Sequence, residues 1–253
     1  MSRPAAARLL LLVPTTTYRT EDFVEAARLL DVDLVVAAEK PSTMAAALPD
    51  HLLTLPFDDP ATAASLMREY ARTRPIDAVV PVDDATTVVG AAIGQALGLR
   101  ANMPAAVSAT RDKQAMREAL ARDGVRQPGF VAVSIADDPE IVAAGARYPC
   151  VLKPLVLSAS RGVIRANTQA EFVAAWRRIV SILAEPEVQA LGEGAREILV
   201  EDFVPGVEVA LEGMLTDSDL TTLAIFDKPD PLDGPFFEET IYVTPSRQSE
   251  AIQ

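Results

Sequence analysis

A lysine closes a short apolar run in Val151-Leu152-Lys153-Pro154, and Leu155-Val156-Leu157-Ser158-Ala159-Ser160-Arg161-Gly162 follows at once. The β-branched pair Val163-Ile164 completes the pattern of a hairpin whose tip carries small side chains, hydroxyls, an arginine and a glycine. Such a tip lays backbone N–H groups and hydroxyls along a polyphosphate, with Lys153 beside it as a fixed positive charge. Further on, Ile198 to Glu208 reads as a strand ending in acid-x-aromatic-aliphatic-x-Gly-x-Glu. Each feature has a plainer reading by itself. A lysine closing a strand is often only a solvated strand end, and alternation alone turns Glu208 outward.

These residues need elements to hold them. Residues 8–13 read as a buried parallel strand, 21–30 as a helix with Thr20 as N-cap, and 34–38 as the next strand. Residues 62–73 read as a helix, 78–81 as a strand, and 85–97 as an Ala/Val-rich helix stopped at Gly98. Strand–helix alternation predicts a parallel sheet with right-handed crossovers, so residues 1 to about 105 form a Rossmann-like layer. No G-x-G-x-x-G follows the first strand, where Thr15, Thr16 and Thr17 either line a crevice or make an ordinary turn. Asp83 and Asp84 are expected to cap the next helix, with substrate contact as the other reading. Beyond this layer the pattern predicts one helix over 108–122, strands at 130–134 and 149–153, and helices at 139–146 and 172–183. A loop is expected over 185–195, then strands at 198–203, 207–214 and 220–226.

The net charge of −13 disfavours a nucleic-acid partner, which needs clustered Lys and Arg. One cysteine, Cys150, excludes an internal disulfide and fits a reducing, cytoplasmic compartment. Beside Val151-Leu152 it reads as a buried structural thiol. With His51 as the only histidine, a zinc site or a Ser-His-Asp hydrolase is disfavoured. No uncharged run is long enough to span a bilayer, so no membrane partner is expected.

The order of lysine strand, small-residue hairpin, helix and acid-rich strand resembles the ATP-grasp superfamily, specifically its carboxylate–amine (amino-acid) ligase-like branch. Arg111-Asp112-Lys113 with Met116-Arg117, Gly124-Val125 and Pro128 is similar to a further family segment. The resemblance implies an α/β ATP-grasp fold: a Rossmann-like layer at 1–107, a connecting helix at 108–127, a lid at 128–199 and the start of the central lobe at 200–253. It implies that Lys113, Lys153 and the loop residues Ser158, Ser160, Arg161 and Gly162 meet ATP phosphates. Glu201, Phe203 and Val204 would hold the adenine, through the acid, the backbone and apolar contact, and Glu208 the ribose. Asp227-Lys228-Pro229 and Glu238 to Pro245 resemble another stretch of the branch, with Lys228 facing phosphate or simply exposed. Leu157 and Ala159 stand where glycine is frequent in the family, and Val156 where a polar residue is.

What the resemblance implies for activity is a ligase joining a small-molecule carboxylate to an amine through an acyl-phosphate, with release of ADP and phosphate. Its Mg²⁺ ligands are expected beyond residue 253, so the chain reads as truncated at its C-terminus and contains no metal site of its own. The alternative is a non-catalytic ATP-binding module or inactive fragment. An unfinished sheet with an exposed edge favours association, as a homodimer or with a chain that completes the fold.

Overall fold

The computed structural model describes residues 6–230, 233–237 and 240–253. The chain divides into two compact units at Arg111/Asp112.

The continuous apolar runs of the first unit become strands, with Leu10, Leu11 and Leu12 of the first buried. β1 (Arg8–Leu12), β2 (Asp33–Ala38), β3 (Leu52–Thr54) and β4 (Ala78–Pro81) form one parallel sheet in the order β3-β2-β1-β4. Helix α1 (Thr20–Leu29) joins β1 to β2 and α2 (Pro60–Ala71) joins β3 to β4, and α3 (Asp84–Leu97) and α4 (Pro104–Thr110) follow β4. Leu10, Leu12, Val35, Met67 and Ile93 centre its core. Asp83 closes a capping box with Thr86, as capping requires, and Gly98 ends α3 in the left-handed region at φ +67°. Thr20 is the first helical residue rather than the cap. Arg19 holds the cap position without a side-chain bond. The short β3 escaped the sequence pattern.

The helix expected over 108–122 is two helices, α4 and α5 (Lys113–Arg122). Asp112 breaks it: its carboxylate accepts from Gln114 N and Ala115 N, a capping geometry incompatible with a helix running through. In the second unit β5 (Phe130–Ser134), β6 (Cys150–Pro154), β7 (Ile164–Ala166) and β8 (Glu197–Asp202) form an antiparallel sheet ordered β5-β8-β6-β7. One face packs on α6 (Pro139–Gly145) and α7 (Gln169–Leu183), through Cys150, Leu152, Ile164, Val200, Phe172, Trp176 and Ile179. The expected loop at 185–195 contains α8 (Pro186–Gln189) and a 3₁₀ turn over Glu193–Arg196. β9 (Val209–Thr216) and β10 (Asp219–Asp227) form a separate hairpin. Leu211, Met214, Leu215, Leu220 and Leu223 on it are exposed.

Candidate functional site

Pleating decides which side chains of the β5–β8 sheet meet away from the helices. Val151 pairs with Arg165 on one side and Glu201 on the other, and Glu201 pairs with Phe130. Directly paired residues share a face, so Arg165, Val151, Glu201 and Phe130 form one row. Lys153 and Leu199 belong to the next row on that face. Helix α5 serves the same surface. Lys113 and Arg117, one turn apart, project together. Lys113 Nζ donates to the carbonyls of Leu155 (3.1 Å) and Leu157 (2.5 Å), and Arg117 Nε to Glu201 Oε1 at 2.7 Å.

Glu201 is the hinge of this cluster. Its carboxylate is 5% exposed and meets Lys153 Nζ at 2.5 Å through the other oxygen. Burial opposes its charge, but the Arg117 hydrogen bond and Lys153 outweigh that and hold the carboxyl below its ordinary range. Both oxygens are taken inside the protein. The acid expected at an adenine edge is thus engaged by Arg117 and Lys153. The backbone beyond it follows β6 for one more residue, Phe203 N donating to Pro149 O, and Val204 is exposed.

The hairpin between β6 and β7 is held by its apolar residues. Leu155 is buried, Leu157 packs against the α7 core, and Val156 lies against Gly194, where an added Cβ would approach Val156 Cγ1 to 2.4 Å. Leu157 and Val156, two of the positions that differ from the types frequent in the resembled family, thus dock the loop. Ala159 and Ser160 adopt φ of +53° and +55°, and Gly162 +79°. Arg161 N bonds Ser158 O, and Val163 N bonds Ser160 O, in the turn. Ser158 is exposed and Ser160 half-buried. The Arg161 guanidinium is paired with Glu185 and, at 3.4 Å, with Glu187, next to α8. Glu208 and Lys228 meet each other in an ion pair, with Lys228 Nζ 5.4 Å from the Tyr242 ring centroid. Asp227 accepts from Ser246 Oγ and Arg247 N. Glu238 and Glu239 of the neighbouring motif lie outside the described residues.

Arg117 and Arg165 carried no role in the sequence reading. The first had a signal, its one-turn spacing from Lys113. The second had none. No group of three or more His, Cys, Asp or Glu among the described residues converges to hold a metal ion. Among them no helix is long and apolar enough to cross a membrane. Cys150 is buried, and that burial, then the Asp202 charge, pushes its thiol up to about 11.

Comparison with known proteins places this geometry. The profile of the ATP-grasp domain matches residues 146–253, and that of the ATP-grasp N-terminal domain matches 24–100. The uncharacterized protein y4rH of Sinorhizobium fredii is 29% identical over 215 residues, covering 82% of this chain and 42% of that protein. Alanine–anticapsin ligase of Bacillus amyloliquefaciens is 27% identical over 183 residues, 68% of this chain and 38% of the ligase. This chain thus spans well under half the length of these curated relatives. Among solved structures, the L-amino acid ligase from Bacillus licheniformis superposes with a TM-score of 0.70 at 22% identity, over 97% of this chain and 56% of that one. With both profiles matched in order, and the lysine strand, hairpin and acid strand assembled on one sheet, the chain belongs to the ATP-grasp superfamily.

Proposed function

We propose that this chain supplies the nucleotide-binding part of an ATP-dependent carboxylate–amine ligase. The carrying observation is Lys153, fixed by buried Glu201 at the foot of a hairpin that Lys113 ties down through two carbonyls. In this reading Lys113, Lys153, Lys228 and the donors of Ser158, Ser160, Arg161 and Gly162 face the phosphates. Phe203 and Val204 hold the adenine, and Glu208 the ribose. The γ-phosphoryl group passes to a substrate carboxylate: a carboxylate O–P bond forms, the bond to ADP breaks, and an acyl-phosphate results. An amine then attacks the acyl carbon, phosphate leaves, and the amine gives up a proton as the C–N bond forms. Clustered cations offset the charge that spreads over the phosphoryl oxygens, the usual leading contribution in such transfers. The named activity of the alanine–anticapsin ligase supports the reaction class, and its small-molecule substrates support a carboxylate and an amine as partners.

Calorimetry with ATP on the 253-residue chain and on Lys153→Ala tests the nucleotide site. Micromolar binding lost in the variant is expected. A folded wild-type chain that binds no ATP overturns the reading.

A further inference from the structure

Arg165 makes more specific contacts than any reading of the hairpin assigns it. Its backbone N donates to Pro235 O at 2.8 Å, and Ile164 bridges Phe236, so residues 235–236 add to the free edge of β7. Its guanidinium donates from Nη1 to Asp233 O at 2.7 Å and from Nε to Asn167 Oδ1 at 2.9 Å. The same guanidinium carbon lies 3.9 Å from the centroid of the Phe203 ring. From the far side, Arg178 sits 4.9 Å over the Phe236 ring. Gly234, at φ +86°, lets the strap approach so closely that a Cβ there would come within 2.8 Å of Arg165 Cβ.

Three pieces of chain therefore meet at one side chain: the returning strand of the hairpin, the aromatic that follows Glu201, and the strap that follows Lys228. Only a planar, forked cation can stack on a ring and donate in its plane at the same time. We propose that Arg165 is a positioning residue. Through one guanidinium it docks the 233–236 strap and fixes the Phe203 ring, so the strap and the ring beside the nucleotide site are ordered together. The part of this that concerns nucleotide rests on the function proposed above.

The test compares wild type with Arg165→Ala, Arg165→Lys and Phe203→Leu in the full 253-residue chain. It reads amide hydrogen exchange at residue 165, whose N–H is held by Pro235 O, together with the Kd for ATP, with Trp176 fluorescence as the check of folding. Both Arg165 variants should speed exchange at this amide and raise the Kd about tenfold, the scale of a desolvated cation–π contact with its hydrogen bond. Lysine should not rescue, because it keeps the charge and loses the fork. Phe203→Leu should speed exchange at the Arg165 amide although it removes no hydrogen bond to the strap. A lysine variant that behaves as wild type, or an Arg165 amide indifferent to Phe203, overturns the proposal. If wild type binds no ATP, the ligase reading falls, and the Phe203 exchange experiment still decides whether Arg165 couples ring and strap.

Discussion

Replacing Glu201 by glutamine removes one charge and leaves two cations without their partner. The magnitude follows from the geometry. Lys153 and Arg117 stand 2.5 and 2.7 Å from the two oxygens, and their side chains are only 17% and 18% exposed. At an effective dielectric of about 20 each contact is worth roughly 6 kcal/mol of Coulomb attraction, and desolvation of the ions takes back most of it. The variant keeps the desolvation and loses the attraction, so Glu201→Gln should cost about 3–5 kcal/mol. Urea unfolding followed by Trp176, the only tryptophan, reports the second unit alone. The pH dependence sharpens the test. The folded carboxyl titrates below its unfolded value, so its stabilisation is complete above about pH 4.5 and is lost as pH falls through the folded pKa. The gap between wild type and variant should stay constant from neutral pH down to that point and close below it. A loss under about 0.5 kcal/mol would refute the reasoning, since it would put Glu201 among ordinary surface ion pairs.

Two further outcomes are expected. The Cys150 thiol, buried and raised to about 11, should resist a maleimide at pH 8 in the native chain and react fully in urea. Gly162→Ala should cost about 2 kcal/mol or more in the same unfolding assay, because it combines a left-handed φ with a Cβ 2.9 Å from Pro154 Cγ.

Much of this architecture was legible because local pattern and tertiary role coincide. The apolar run before Lys153 is a strand, the periodic face of Phe172, Trp176 and Ile179 is the core of α7, and Asp83 caps where an acid before an Ala/Val helix should. The failures have physical reasons. No Gly or Pro interrupts Ser108 to Arg122, so only the cap made by the Asp112 carboxylate reveals the break. β3 is three residues long, too short for alternation to register. The pairing of Arg117 with Glu201 spans 84 residues, and no local spacing encodes it. Arg165 was invisible for the same reason: its partners are a strap and a ring brought to it by sheet register.

The hairpin tip has a kinetic consequence. Ala159 and Ser160 hold left-handed backbone that glycine would adopt freely, and each non-glycine residue there gives up conformations in the unfolded chain. Their presence, with Val156 and Leu157 docked, means the loop's entropy is surrendered when the chain folds. A ligand arriving at such a loop meets a shape already made. Little ordering remains to slow its capture, and little freedom is regained when it leaves.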